Sequence, residues 1–414
     1  MSLIKKIIHF LLAWLAYWFY GRPARKLIVI GVTGTKGKST TCRFIASVLE
    51  AGGAKVGMLT TVEFQVAEKR WFNDKKMTML GRGKIQSLLK QMVKAGCKYA
   101  VVETSSEGIL QYRHIGLNYH TAVFTNLGTE HSERHGGFEN LKKDKAKIFA
   151  KAKTIVANTD DEHADFYLNF PAREKYTFGL NAQNRPNILG ENIASDESGT
   201  DFAVGGKKFR LNIIGRFNIY NALAAIAVGR SQKIPEDKIA DGLASVKLVE
   251  GRMELVDEGQ DFKVIVDYAH EPMSLTELFK SLRAIAGEGK VIAVVGSDGG
   301  GRDKNKRETM GEVAGRLADY AIITDVNCYD EDPQAIAEML AVGARKAGKK
   351  DNVDLFIEVD RRQGIAKAIS LARAGDVVAI TAKGTEPYIA VADGKKIIWD
   401  DRRVAREILL ESRR

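Results

Sequence analysis

The sequence predicts an α/β protein of two domains, each built on a mainly parallel sheet. Three observations predict it. From residue 27 onward short apolar runs alternate with helix-period segments, the pattern of βαβ units. The first run leads directly into a glycine-rich, lysine-bearing turn that opens a helical pattern. A second alternating series begins near Gly251. The 414 residues accommodate two or three domains of roughly 100–200 residues each, and 45% apolar content suffices for their cores.

Taken in order, the first strands are expected at 27–30, 98–102, 121–125 and 154–157. Between 175 and 213 the rhythm breaks into Asn-, Gly-, Asp- and Ser-rich turns, which read as an antiparallel patch, and helical pattern resumes at 218–229. The second series places strands at 262–266, 291–295, 321–324, 355–358 and 377–380, so the domain junction falls near 245–252. No repeat or low-complexity tract interrupts either series.

Sixty-three Lys and Arg against 52 Asp and Glu give a net charge of +11, which suits a phosphate-rich partner or an anionic membrane surface. No basic–aromatic module accompanies that charge, so no nucleic-acid partner is expected. Cys42, Cys97 and Cys328 are odd in number, far apart and in no metal-ligand spacing, which argues against a disulfide framework or zinc ribbon and for a reducing cytoplasm. Residues 7–20 are apolar apart from His9, with Lys5 and Lys6 before them and Arg22, Arg25 and Lys26 after. This run is shorter than the about 20 residues of a membrane span and lacks the cleavage site of a secretory signal. Trp14, Tyr17, Trp18 and Tyr20 are ring types that settle at a membrane–water boundary. Two readings stand side by side: peripheral contact with the inner face of a membrane through residues 4–20, and a helix packed on the body or on a partner subunit.

The sharpest motif is Gly31-Val-Thr-Gly-Thr-Lys-Gly-Lys-Ser-Thr40, after a strand and before the helical pattern 42–51. Its glycines let backbone amides turn toward phosphate oxygens, and the helix N-terminus adds its positive dipole end. Gly34, Thr35, Gly37, Lys38, Ser39 and Thr40 are therefore the candidate nucleotide-binding residues, with Lys38 for the β- and γ-phosphates and Ser39 for magnesium. The spacing departs from the generic G-x-x-x-x-G-K-[ST] because position 32 is valine. Glu103 ends an apolar run, which puts a metal-binding carboxylate at the carboxyl end of a strand. His131 follows Thr125-Asn126 within one loop and is a candidate for a metal or phosphate role.

Lys145 lies on an apolar face. In the helical pattern expected over 138–153, Leu141, Lys145, Ile148, Phe149 and Ala152 recur at helical spacing, while Lys142, Lys143, Lys147 and Lys151 form the solvated face. An inward lysine pays desolvation, which lowers its pKa and exposes a neutral amine unless a carboxylate pairs with it. A neutral amine there can take up carbon dioxide and become a carbamate able to hold a second magnesium ion. Pattern alone favours a snorkelling or paired lysine.

With these stand Glu103-Thr-Ser-Ser106, the Phe124-Thr-Asn-Leu segment with His131, Gly215-Arg-Phe-Asn-Ile-Tyr-Asn221, Gly251-Arg-Met-Glu254, Asp267-Tyr-Ala-His270 and Gly300-Gly-Arg-Asp-Lys-Asn-Lys-Arg307. In this order, from about 27 to 404, the chain resembles the Mur ligases, and within them the branch that adds the third amino acid of the stem peptide in peptidoglycan synthesis. Behind an apolar N-terminal segment 1–26, the resemblance implies a central P-loop ATPase domain 27–247 and a Rossmann-like, amino-acid-binding C-terminal domain 248–414. It implies ATP- and magnesium-dependent amide formation through an acyl phosphate, with a muramyl-peptide acceptor and an amino acid as partners. By position, Lys38, His131 and Lys145 are catalytic. Ser39 and Glu103 hold one metal, and His131 with carbamylated Lys145 serves the other. Asn218 and Asn221 match the adenine side, and Arg252 and Asp267 match the C-terminal contacts to ATP. Ser105 and Arg113 match the acceptor site, and Arg302, Asn327 and Glu386 the amino-acid site.

Four departures stand out. Only about 26 residues precede the first strand, where the family has a sugar-nucleotide-binding domain of about 100 residues, a usual domain size; another surface holds the nucleotide sugar, or the acceptor is lipid-linked. Glu130 replaces the aspartate before His131. The Asp-Asn-Pro-Arg of diaminopimelate-adding members reads Val326-Asn-Cys-Tyr329, and Gly-Lys-Gly-His-Glu reads Ala382-Lys-Gly-Thr-Glu386. A folylpolyglutamate or poly-γ-glutamate ligase shares the ATP chemistry, but Thr104-Ser-Ser106 and Gly300–Arg307 look more like the muramyl branch. A plain P-loop ATPase or scaffold needs no amino-acid pocket.

Overall fold

The computed structural model describes residues 3–412 other than 74, 76, 129–131, 197–198 and 302–303, and divides into two compact units between Lys247 and Leu248. The first unit runs α1 (Leu3–Phe19), β1 (Ile28–Thr33), α2 (Lys38–Ala51), β2 (Val56–Leu59), β3 (Glu63–Val66), β4 (Lys69–Phe72), α3 (Arg82–Lys94), β5 (Tyr99–Glu103), α4 (Ser106–Leu110), β6 (Thr121–Phe124), α5 (Ser132–His135), α6 (Phe138–Ala146), β7 (Thr154–Asn158), α7 (Ala164–Leu168), β8 (Glu174–Gly179), β9 (Ile188–Leu189), β10 (Glu191–Asp196), β11 (Gly199–Val204), β12 (Lys207–Leu211), α8 (Phe217–Ser231) and α9 (Glu236–Ala244).

Nine strands form one sheet in the order β4-β3-β2-β5-β1-β6-β7-β8-β9, parallel except that β3 runs antiparallel to both β2 and β4. β1 is apolar on both faces and buried almost throughout, as a central strand covered on both sides must be. After β5 the chain crosses to β6 on the other side of β1, so the strand order reverses at β1. Open α/β sheets bind ligands at the carboxyl end of such a switch point, and the glycine-rich loop occupies it.

Two sequence expectations are corrected. The break at 175–213 is only partly antiparallel: β8 and β9 extend the parallel sheet, and the antiparallel patch is β10–β12. The first residues of β8 are exposed, and a half-solvated strand next to the sheet edge reads as loop. The helix expected over 138–153 ends at Ala146; beyond it Phe149 N–H donates to Ala146 at 2.9 Å and Ala152 N–H to Phe149 at 3.2 Å, so three-residue turns continue the path. Ile148, Phe149 and Ala152 are still buried, because tertiary packing maintains the apolar spacing without the helix. The N-terminal helix begins at Leu3 and takes in Lys5 and Lys6.

The second unit runs β13 (Glu254–Val256), β14 (Lys263–Val266), α10 (Pro272–Ala286), β15 (Val291–Val295), α11 (Asn305–Leu317), β16 (Tyr320–Ile323), α12 (Pro333–Lys346), β17 (Leu355–Ile357), α13 (Arg361–Leu371), β18 (Val377–Ile380), β19 (Tyr388–Ala390), β20 (Lys396–Ile398) and α14 (Asp401–Glu411). Its main sheet has the order β13-β14-β18-β15-β16-β17, parallel except for β13. Asp332, Asp360 and Asp400 accept backbone N–H groups at the starts of α12, α13 and α14, satisfying donors that a helix start leaves unpaired. Asp267, Asp298, Asn327 and Lys383 all lie in the segments that follow the carboxyl ends of β14, β15, β16 and β18.

Candidate active site

In the first unit the loop after β1 turns on two left-handed glycines, Gly34 (φ 150°) and Gly37 (φ 80°). A Cβ at Gly34 would lie 2.0 Å from Thr125 Oγ1, and one at Gly37 would lie 2.3 Å from Asn221 Oδ1, so only glycine lets the loop sit this close to both neighbours. The stitching is extensive. Thr125 Oγ1 donates to Lys36 O at 2.8 Å, Lys36 N–H to Asn126 Oδ1 at 2.8 Å, and Gly128 N–H to Thr35 Oγ1 at 2.8 Å. Asn221 Oδ1 accepts from Thr41 Oγ1 at 3.1 Å, and its Nδ2 donates to Asn218 Oδ1 at 3.0 Å. Asn218 and Asn221 thus brace the back of the loop.

Lys38 opens α2, and its Nζ donates to Thr35 O at 2.9 Å. Ser39 and Thr40, in the same first turn, are buried. Ser39 Oγ donates to Glu103 Oε2 at 2.7 Å, and Glu103 also accepts from Thr61 N–H at 2.8 Å and Thr61 Oγ1 at 2.9 Å. A hydroxyl and a carboxylate side by side at a helix N-terminus are hard oxygen donors, which fit magnesium. Lys145 Nζ, buried, donates to Gly34 O at 2.8 Å. As an ammonium it cannot ligate a cation; as a carbamate it would supply oxygen.

Residue Asp144, beside Lys145, accepts from His135 Nδ1 at 2.7 Å and from Lys147 Nζ at 2.6 Å. Burial opposes its ionisation, but these two donors hold the carboxyl below its ordinary range. His131 and Glu130 lie outside the described residues. Ser105 caps α4, accepting from Gly108 N–H at 3.2 Å. Arg113 donates to Met79 O and, at 2.6 Å, to Gln111 Oε1; burial and then the charge of Arg82 depress its pKa.

In the second unit the loop segments after the strands converge. Asn327 Nδ2 donates to Asp298 Oδ1 at 2.7 Å and to Glu386 Oε2 at 3.1 Å. Lys383, fully buried, donates to the same Glu386 Oε2 at 3.1 Å and to Tyr388 O at 2.9 Å. Asp267 accepts from Met253 N–H at 2.8 Å and Ala269 N–H at 2.7 Å, while the Arg252 guanidinium lies 4.6 Å from the Tyr268 ring centre. Arg302 is outside the described residues.

These two constellations coincide with two matched families: residues 32–229 match the Mur ligase middle domain, and residues 251–384 match the Mur ligase, glutamate ligase domain. The chain belongs to the Mur ligase family. It is 38% identical to UDP-N-acetylmuramyl-tripeptide synthetase of Roseiflexus sp. (strain RS-1), over 97% of this chain and 82% of that protein. It is 37% identical to UDP-N-acetylmuramoyl-L-alanyl-D-glutamate--2,6-diaminopimelate ligase of Geobacillus kaustophilus (strain HTA426), over 97% and 82%. A solved structure of a ligase of that second name aligns with a TM-score of 0.65 at 29% identity, covering 94% of this chain and 79% of the other. Mycobacterium tuberculosis folylpolyglutamate synthase aligns at 0.68 and 16% identity over 91% and 96%, a likeness of fold alone.

As a Mur ligase the protein is an ATP-dependent acid–amino-acid ligase. Sequence reasoning missed Thr61, whose signal was the Thr60-Thr61 pair after the short apolar run 56–59, and it quoted Lys383 without giving it a part. It also gave Asn126 no place at the loop. Among the described residues no helix is long and apolar enough to cross a membrane.

Proposed function

We propose that this Mur ligase joins an amino acid to the carboxylate of a muramyl-peptide acceptor in peptidoglycan precursor synthesis. The acceptor carboxylate oxygen attacks the γ-phosphorus of ATP, and ADP leaves. The amine of the amino acid then attacks the acyl carbon, orthophosphate departs, and the amine loses a proton. The observation that carries the reading is the Ser39–Glu103 pair beside Lys38 at the start of α2, with Lys145 on the Gly34 carbonyl. Phosphoryl transfer needs mostly positioning and charge neutralisation, and these residues are suited to supply both.

Each residue has a part in this reading. Lys38 neutralises the transferring phosphate and the loop amides orient it. Ser39 and Glu103 would hold magnesium, which supplies positive charge to the phosphate oxygens; His131 and a Lys145 carbamate would hold a second ion. Asn218 and Asn221 serve the nucleotide side by bracing Gly37. Ser105 and Arg113 receive the acceptor, Arg252 and Asp267 serve the nucleotide, and Arg302, Asn327 and Glu386 receive the amino acid. The printed activities of the relatives favour this acceptor class, and a cytoplasmic site fits the three buried free cysteines.

The experiment is purified protein with ATP, magnesium, UDP-linked muramyl dipeptide and an amino-acid panel, with phosphate release and product mass measured together. One phosphate per new amide is expected. Phosphate release indifferent to acceptor and amino acid would return the protein to a plain ATPase.

A further inference from the structure

We infer that α1 is a docking helix for the surface of an anionic lipid bilayer. One stripe of it faces the protein: His9, Ala13, Ala16, Tyr17 and Tyr20 recur at i, i+4, i+7, i+8 and i+11 and are the more buried positions. The stripe is seated on α3 and on the loop after α4. The Phe10 ring meets the Tyr112 ring edge-on at 5.7 Å between centres. Tyr17 fills the space over Gly116, where a Cβ would lie 2.3 Å from its ring.

Among the described residues nothing covers the opposite stripe. Ile4, Ile7, Ile8, Leu11, Leu15 and Trp18, on one helical face, are all exposed, Ile4 at 70% and Leu15 at 55%. A contiguous apolar face of this kind marks an interaction site. Its border chooses the partner. No Asp or Glu occurs in residues 3–49, and α3, the seat of α1, has none either. Arg25, Lys26, Lys84, Lys90 and Lys94 are exposed on these segments, and the Arg22 guanidinium lies 4.3 Å from the Trp18 ring centre.

An apolar face edged by cations alone is complementary to acyl chains beneath anionic headgroups, where each base adds roughly fivefold to binding. A second copy of the chain would instead bring two carboxylate-free rims together. α1, with 17 residues, is a surface helix and not a span. Its seat includes the loop that carries Arg113, so docking holds that loop at the lipid surface. This last consequence rests on the ligase reading, whereas docking itself does not.

The test is flotation of the full chain with vesicles of neutral phosphatidylcholine, and with vesicles carrying about 30% phosphatidylglycerol, a strongly anionic surface. Binding to the anionic vesicles is expected at least tenfold tighter, weakened by added salt, with a blue shift of tryptophan emission from Trp14 and Trp18. The double variant Leu11→Glu/Leu15→Glu, at exposed positions, should keep its melting temperature and lose that binding tenfold or more. Absence of flotation, or equal flotation of the double variant, overturns the inference. So does a concentration-dependent dimer that the double variant abolishes and anionic vesicles do not disperse. Because ATP turnover is not the readout, an inactive ligase leaves the result interpretable.

Discussion

Lys145 Nζ donates to Gly34 O at 2.8 Å, a bond between α6 and the phosphate loop across 111 positions of sequence. The ammonium is buried, and the carbonyl dipole offsets part of its desolvation. A carbamate at this place would reverse the charge: the side chain would accept where it now donates, and a cation would be needed beside it.

The Lys145→Ala variant should therefore stay folded, with a native circular dichroism spectrum, and lose about a hundredfold or more in turnover, the scale of losing a transition-state charge partner. Acetate or formate should restore part of that activity, and depletion of carbon dioxide should slow the native enzyme. Full activity of Lys145→Ala would reduce the residue to packing.

Thr61 holds both oxygens of Glu103, at 2.8 and 2.9 Å. Partners behind a metal ligand typically change affinity by about 10–100-fold. Thr61→Val keeps the shape and the backbone N–H but removes the hydroxyl. The magnesium concentration for half-maximal turnover should rise roughly tenfold, with turnover at saturating magnesium little changed. A magnesium titration that superimposes on the native one would show that Glu103 is positioned without Thr61.

The burial of His114, then the charge of Lys147, lowers its pKa from 6.5 to about 4, with Asp144 opposing. The folded state thus prefers the neutral ring, so the unfolded chain takes the proton first as pH falls. Stability from this group is complete above pH 6.5 and is lost as pH drops toward 4. Between pH 7.5 and 4.5 the native protein should lose on the order of 2 kcal/mol more than His114→Gln in urea unfolding. Parallel pH profiles of the two proteins would remove His114 from the account.

At the proposed amino-acid site the segment Val326-Asn-Cys-Tyr329 carries no cation, and the Cys328 thiol is pushed up to about 11 by burial and Asp325, so it stays neutral. A distal carboxylate would forfeit a charge-assisted bond there, whereas the ammonium of lysine or ornithine finds an acid in Glu386. Opposing this, Glu386 Oε2 already accepts from Lys383 and Asn327. In competition at equal concentration, product mass should favour lysine or ornithine over meso-diaminopimelate at least tenfold. Preference for meso-diaminopimelate would mean that another base takes the place of the missing arginine.

The parallel strands and the glycine-rich loop were legible because central strands are apolar on both faces and the loop's left-handed turns need glycine at Gly34 and Gly37. β8 was not, since a strand whose first residues are exposed and polar carries no period-2 signal. Ser39 and Glu103 could be named separately, but their 2.7 Å contact joins residues 64 positions apart. The parts of Asn221 and Thr61 as braces depend on which side chains face the loop from other elements, and spacing along one element does not encode that. Lys145 shows the opposite case: its apolar spacing located it correctly although the helix ends one residue later.

The most direct test of carboxylate activation is isotope transfer from an acceptor whose reacting carboxylate is labelled with oxygen-18. Passage through an acyl phosphate predicts one labelled oxygen in each orthophosphate released, matched one to one with new amide. Unlabelled phosphate released alongside amide, or phosphate released without amide, would contradict it.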